Sequence, residues 1–134
     1  MRNSEQILKE LNDINAYVLK GIPDNDMQMM LSCGSTLVTY IASTAAMVAE
    51  SGKLFNQAKT NAYHVLALSS VANQKYYSPS LAKDYINSKC SEAGYVYELA
   101  CRMNAAVTHS LDMIRTAISA EKQLLANLNY GNNG

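Results

Sequence analysis

Residues 76–80, Tyr76-Tyr77-Ser78-Pro79-Ser80, separate two long stretches in which apolar or small residues recur at alternating steps of three and four. The repeat in the first stretch runs through Leu37, Ile41, Thr44, Val48, Ser51, Phe55, Ala58, Ala62, Val65, Ser69, Ala72 and Tyr76. In the second stretch it runs through Ile86, Cys90, Ala93, Tyr97, Ala100, Asn104, Val107, Leu111, Ile114, Ile118, Glu121, Leu125 and Leu128. This spacing keeps one stripe of a helix facing a partner helix. We therefore predict an all-α fold built on a long antiparallel helical hairpin, with its turn within residues 76–80.

A short N-terminal helix is predicted to precede the hairpin. Asn3 or Ser4 can cap its first turn, and its apolar face ends at Gly21. Pro23 and Asp24 are then expected to open the second helix, because proline is favoured at the first helical position.

The remaining helix boundaries follow from serine, proline and glycine. Ser78 is a good N-cap for the last helix, with Pro79 at its first position. Gly34 and Gly52 leave open whether the second helix is continuous, because an isolated glycine costs about 1 kcal/mol relative to alanine without necessarily ending a helix. Residues 128–134 are predicted to be a frayed tail. The sequence thus indicates one elongated helical domain spanning residues 1–134.

Each long helix carries more apolar side chains than one partner helix can cover. Several lie off the repeat: Tyr40, Met47, Leu54, Leu66, Tyr85, Val96, Met103 and Leu124. The repeat itself is rich in small residues, which bury little area each. We therefore predict a homo-oligomer in which contacts between subunits supply much of the stability.

Composition excludes several classes of protein. Eleven basic residues balance eleven acidic ones, so the formal net charge is zero. The chain has no run of about 18 apolar residues and no apolar segment of a signal peptide at its start, so we expect no membrane association and a cytoplasmic location. Three cysteines without CxxC spacing predict neither a disulfide framework nor a zinc site, and Cys90 and Cys101 are interpreted as small buried side chains. No cofactor is expected.

The middle of the chain is locally basic. Residues 35–78 contain one acidic residue against Lys53, Lys59 and Lys75, and they end at Tyr76 and Tyr77. Lysines can bind phosphates and exposed aromatic rings can stack on the bases of a single strand. These five residues form the candidate nucleic-acid-binding site. The alternative is a solvated helix face with tyrosines in the core.

Residues suited to catalysis are few, so no enzymatic activity is expected. The chain has two histidines, no glycine-rich phosphate loop and no paired carboxylates at metal-binding spacing. One pattern, Arg102, Asn104 and His109 on a long helix, resembles the loose Arg-x4-6-His motif of HEPN ribonucleases. This resemblance implies an RNA-cleaving helical dimer as a remote alternative.

The order of the segments resembles the UvsY-like recombination mediators of T-even-like phages. A long helix ends in a Tyr-Tyr turn, and the next helix opens with serine and carries further matching positions: Tyr85, Tyr95, Tyr97, Leu99, Ser110, Leu111, Asp112, Ile114 and Arg115. The resemblance spans roughly residues 35–122. In that family basic residues just before the tyrosine pair serve DNA binding. Here Val71 and Asn73 occupy the nearest positions, and only Lys75 is basic.

The resemblance implies a phage or prophage protein that forms a ring of six or seven subunits in the cytoplasm of a bacterial host. Such a protein holds single-stranded DNA, displaces a single-strand-binding protein and helps to load a recombinase. A rival interpretation is a phage structural or interaction protein, either an assembly component or an oligomer that sequesters a ligand, without affinity for nucleic acid.

Overall fold

The computed structural model describes residues 1–24 and 26–132, and four helices account for most of them. They are α1 (Ser4–Leu19), α2 (Met27–Asn73), α3 (Pro79–Lys89) and α4 (Ser91–Asn132). No strand occurs in these ranges. The prediction of an all-α fold is confirmed.

Two helix starts follow the capping residues of the sequence. The side chain of Asn3 accepts the backbone N–H of Gln6, whose own side chain accepts the N–H of Asn3, so a complete capping box begins α1. The Ser78 hydroxyl accepts the N–H of Leu81 at the start of α3, and Pro79 holds the first helical position.

The second helix begins later than predicted. The Asp26 carboxylate accepts the N–H groups of Gln28 and Met29, so Asp26 is the N-cap and the helix starts at Met27. The prediction that Pro23 and Asp24 open this helix is wrong. A carboxylate that satisfies two free N–H groups defines the first turn more strongly than a preceding proline.

From its start, α2 runs without interruption for 47 residues, about 70 Å at 1.5 Å per residue. Both glycines in it lie where α4 approaches. A Cβ at Gly34 would be in ordinary contact with Ile114, at 3.8 Å, whereas a Cβ at Gly52 would lie 3.3 Å from the ring of Tyr97. At Gly52 the missing side chain therefore makes room for an aromatic ring.

A second aromatic ring packs on a glycine of the opposite helix. A Cβ at Gly94 of α4 would lie 3.2 Å from the ring of Phe55 of α2. The Phe55 and Tyr97 rings stack with centroids 6.0 Å apart, and Lys59 Nζ lies 4.3 Å from the Phe55 centroid. We call Gly52, Phe55, Gly94 and Tyr97 the aromatic clasp. It joins the middle of α2 to the first two turns of α4.

The paired positions show how α2 and α4 run. Gly34 lies beside Ile114, Thr44 beside Asn104 and Phe55 beside Gly94. Residue numbers rise along α2 as they fall along α4, so the two helices are antiparallel.

One polar pair fixes this alignment inside the interface. Asn104 Nδ2 donates to Thr44 Oγ1 over 2.9 Å, and the buried Thr44 hydroxyl donates to the carbonyl of Tyr40 over 2.8 Å. A shift of either helix along the other would leave these groups unpaired in an apolar surrounding.

The short helix α1 completes a three-helix section at one end of the molecule. Its side chains Ile7, Leu11 and Ile14 are buried in the main core. The guanidinium of Arg2 binds the carboxylates of Glu10 and Glu50 at 2.8 and 3.0 Å. Near the other end of α1, the rings of Tyr17 and Tyr40 meet edge to face. Helix α1 is therefore antiparallel to α2 and covers its first half.

The other end contains only α2 and α3. A small cluster there buries Ala62 and Leu66 of α2 with Ile86 and Cys90. The chain leaves α3 at Cys90, where φ is −105° and ψ is 9°, and α4 begins at Ser91. The prediction of one last helix from Ser78 onward is wrong, because the helix breaks where Cys90 enters this cluster.

Helix α4 extends past the start of α2. It remains helical to Asn132, and all residues from 122 to 131 are exposed. Fraying of residues 128–134 stays a prediction, and residues 133 and 134 lie outside the described part of the chain.

By length and composition, α2 also meets the requirements of a membrane-spanning helix. An 18-residue window within Met27–Asn73 has a mean hydropathy of 1.3, and 22% of that window is buried. Core helices of soluble proteins have the same composition, so the cytoplasmic location stays a prediction.

Candidate nucleic-acid interface

Lys53 lies exposed on α2 at the edge of a surface groove of about 820 Å³. Polar and small side chains line it along one side of α2, with one ring from α4: Val48, Ala49, Gly52, Asn56, Gln57, Thr60, Asn61 and Tyr97. The amide and hydroxyl groups can hydrogen-bond to phosphate or sugar oxygens. A hydrogen bond with Cys101 raises the pKa of Tyr97 above its usual value.

Lys59 does not join this groove. Six residues along an α-helix correspond to a rotation of about 240°, which places Lys59 on another side of α2 from Lys53. Its ammonium group rests on the Phe55 ring and its side chain is half-buried. Lys59 therefore covers the aromatic clasp. Only the side of its ammonium group that faces away from the Phe55 ring can contact a ligand.

Lys75, Tyr76 and Tyr77 form the turn after α2. The Tyr76 ring is 87% exposed, whereas Tyr77 packs against the small cluster beside α3. Of the two tyrosines, Tyr76 is thus available for stacking on a base. Lys75 is exposed next to it.

The backbone of this turn is held in an uncommon conformation. Gln74 has φ 51° and ψ 37°, in the left-handed region that glycine adopts most easily. The Lys75 N–H donates to the carbonyl of Ser70, and the Ser70 hydroxyl donates to the carbonyl of Lys75. These two bonds fix the direction in which Lys75 and Tyr76 leave the helix.

Replacing Gln74 with glycine is expected to raise the free energy of unfolding by about 1 kcal/mol, because glycine adopts this conformation without steric cost. Thermal unfolding followed by circular dichroism measures the change. Gln74→Ala, which keeps the Cβ, is the control and should bring no such gain. A Gln74→Gly variant no more stable than Gln74→Ala would contradict the left-handed turn.

The predicted site residues therefore do not form one continuous site within a single chain. Lys53 is roughly 30 Å along α2 from the helix end that precedes Lys75. The groove at Lys53 and the turn at Lys75 and Tyr76 both lie along the same arm. A ligand that uses both must be extended.

The second half of α2 contains no acidic side chain that could neutralise the positive charge of its lysines. Glu50, the one acidic residue between positions 35 and 78, is bound by Arg2, and hydrogen bonds with Glu50 and Glu10 raise the pKa of that guanidinium. Among the described residues, the side-chain ion pairs involve arginines and not lysines. Lys53 and Lys75 are thus free to bind phosphate.

The residues of the ribonuclease motif are separated by their contacts. Arg102 pairs with Glu98 over 2.6 Å, and His109 lies in a different surface groove beside Asp112. Asn104 is engaged with Thr44 between the helices. Within one chain these side chains do not form a joint site.

Among the described residues, no group of three or more His, Cys, Asp or Glu side chains could hold a metal ion. Cys33 and Cys90 are buried free thiols, and Cys101 is half-buried. The interpretation of Cys90 as a small buried side chain is confirmed, whereas Cys101 is only partly covered.

Sequence reasoning did not place Tyr97 or Thr60 beside Lys53, nor did it find the left-handed turn at Gln74. The polar spacing along α2 could have indicated Thr60. Tyr97 enters the groove through long-range helix pairing, which local spacing does not contain.

Comparison with known protein families, with curated proteins and with solved structures finds no match to this chain.

Proposed function

We propose that this protein is an oligomeric, single-stranded-DNA-binding accessory protein that helps to load a recombinase in a phage or prophage. The observation that carries the proposal is the exposed pair Lys75 and Tyr76 at the end of an acid-poor helix. The sequence resemblance to recombination mediators supports it, because their Tyr-Tyr turn corresponds to Tyr76-Tyr77.

Binding would combine two sequence-independent interactions. Lys53, Lys59 and Lys75 attract phosphates, and Tyr76 stacks on a base. Tyr77 contributes by holding the turn against the cluster beside α3 rather than by stacking. Such a surface would hold a single strand of any sequence in an extended form.

We infer that α2 and the α3–α4 arm act as the two arms of an antiparallel hairpin and that several hairpins associate. A net charge of zero makes the affinity of one chain weak. In a ring of six or seven subunits, several copies of the same surface bind one strand. Once one subunit has bound, the next copy binds at a high effective concentration, so the affinity of the ring exceeds that of one chain.

The ring would act without bond chemistry of its own. By competing for the strand it would displace a single-strand-binding protein and leave the DNA accessible to a recombinase. These two proteins are the proposed partners.

A binding comparison with three labelled oligonucleotides tests the proposal: single-stranded DNA, the matching duplex and single-stranded RNA, each at low salt. We expect the protein to retain the single-stranded DNA. The duplex should bind more weakly, because its bases cannot stack on Tyr76. The RNA should remain intact after incubation. Lack of DNA binding would contradict the proposal. RNA cleavage that is lost in Arg102→Ala and His109→Ala variants would instead support the ribonuclease alternative.

A second candidate function is a phage structural or interaction protein without nucleic-acid binding. The exposed apolar side chains at both ends of the molecule favour it, including Leu68, Val71, Leu124 and Leu128. It shares the oligomer with the first proposal and predicts no affinity for any of the three oligonucleotides.

A further inference from the structure

Helix α1 packs along one side of α2, and the residues on that side follow a seven-residue spacing. Cys33 and Tyr40 lie beside Tyr17 of α1, and Met47, seven residues further, is fully buried. The next residue at this spacing, Leu54, is partly buried against the same core. This side of α2 is therefore an established helix-packing surface along its first half.

The same side of α2 is no longer covered by α1 beyond the level of the N-terminal end of α1. Arg2, just before α1, reaches Glu50, so α1 does not extend beyond that level. Continued, the spacing passes Asn61, which is exposed and lines the groove at Lys53, and reaches Leu68, which is 58% exposed. Two apolar side chains lie about one turn from Leu68: Val65, 52% exposed, and Ala72. We call Val65, Leu68 and Ala72 the open α2 face.

Helix α3 does not cover this face. It packs on Ala62 and Leu66, which are buried while Leu68 remains exposed. The second half of α2 thus has one partner helix where the first half has two.

At the opposite end of the molecule a helix lacks a partner. Gly34 lies beside Ile114, so the antiparallel pairing places the first residue of α2, Met27, opposite about residue 121 of α4. The last turns of α4 therefore project beyond α2. They carry the exposed side chains Leu124, Leu125 and Leu128, of which Leu125 follows Ile118, the last α4 residue packed against the core, by seven residues.

The two uncovered surfaces match in chemistry. No Asp, Glu, Lys or Arg occurs between Lys59 and Lys75, and none occurs after Lys122. Both uncharged surfaces expose large apolar side chains, and the centres of protein interfaces are likewise depleted of charge. The projecting end is a helix, as α1 is in the covered half.

We propose that the end of α4 from a second copy of this chain packs on the open α2 face and restores a three-helix section there. The two surfaces lie at opposite ends of the molecule, so the contact is head to tail. Head-to-tail contacts form closed rings when the rotation between subunits closes. The inference rests on the oligomer of the proposed function, for which it names the contact, and does not depend on DNA binding.

The first test compares Leu68→Glu with Val38→Glu by light scattering. Val38 is on the same helix and 52% exposed, but it lies off the face that α1 covers. We expect Leu68→Glu to lower the mass of the wild-type oligomer to the 14.7 kDa of one chain, and Val38→Glu to leave it unchanged. An oligomer unaffected by Leu68→Glu would overturn the inference. A monomeric wild type would also overturn it, while single-stranded DNA binding by that monomer would leave the DNA-binding proposal standing.

A second test does not depend on a disruptive substitution. Chains carrying Leu68→Cys and chains carrying Leu128→Cys, both with Cys101→Ser to remove the half-buried thiol, are mixed and oxidised with glutathione disulfide. We expect a disulfide-linked pair of chains in the mixture, and none when Val38→Cys replaces Leu68→Cys. Equal cross-linking in both mixtures, or none in either, would overturn the inference.

Discussion

Replacing Lys53, Lys59 and Lys75 together with alanine is expected to weaken binding to single-stranded DNA roughly 100-fold at about 0.1 M salt, with the same factor for different base sequences. Each lysine that neutralises a phosphate releases a counterion from the DNA, and this release favours binding. The triple variant releases about three fewer counterions, which corresponds to the 100-fold loss. Fluorescence anisotropy with labelled oligonucleotides measures the change. Light scattering checks that the oligomer mass is retained.

The matched control removes three exposed lysines elsewhere: Lys9, Lys20 and Lys122. It changes the net charge equally, so a loss of affinity as large as that of the first triple variant would contradict a specific role for the middle helix. Lys59 needs a further comparison, because it also covers the Phe55 ring at 4.3 Å. The double variant at Lys53 and Lys75 separates the phosphate contacts from this packing.

Replacing Gly94 with valine is expected to lower the free energy of unfolding by about 1 to 3 kcal/mol. A Cβ there would lie 3.2 Å from the Phe55 ring. That ring cannot yield easily, because Tyr97 stacks on it and Lys59 covers it. The gain in helix propensity over glycine, roughly 0.4 kcal/mol, is too small to offset the clash. Denaturant unfolding followed by circular dichroism gives the value.

Two other glycine variants serve as controls for this packing. Gly131 has no atom within 4 Å of a Cβ, so Gly131→Val should leave stability nearly unchanged. Gly34 has only Ile114 at 3.8 Å, and Gly34→Ala should gain about 1 kcal/mol from helix propensity. Adding Phe55→Leu to Gly94→Val should recover part of the loss. If Gly94→Val were as stable as the wild type, the close approach of the two helices would be wrong.

The helical repeat predicts much of the fold because it reports burial directly. Thr44 and Asn104 belong to the two predicted stripes, and they meet in the interface. The break at Cys90 was not predictable, since neither glycine nor proline marks it and the cause is a distant contact with α2. The N-cap of α2 at Asp26 could have been predicted from the sequence, but Pro23 gave a competing signal for an earlier start.

The candidate site was predictable in residue type and only partly in arrangement. The exposure of Lys53, Lys75 and Tyr76 agrees with their predicted role as surface groups. The position of Lys59 over Phe55 depends on a four-residue spacing that the sequence contains. The conformation of Gln74 has no sequence signal, because glycine or asparagine normally occupies such positions.

If this protein holds single-stranded DNA through phosphate contacts, its affinity must fall as the salt concentration rises. The wild-type protein is titrated onto a labelled single strand at a series of salt concentrations from about 0.05 to 0.3 M, and the logarithm of the binding constant is plotted against the logarithm of salt concentration. With three lysines engaged per subunit, we predict a straight decline with a slope of about −2 or steeper. Binding that is absent at the lowest salt concentration, or that does not change with salt, would contradict the proposed phosphate contacts.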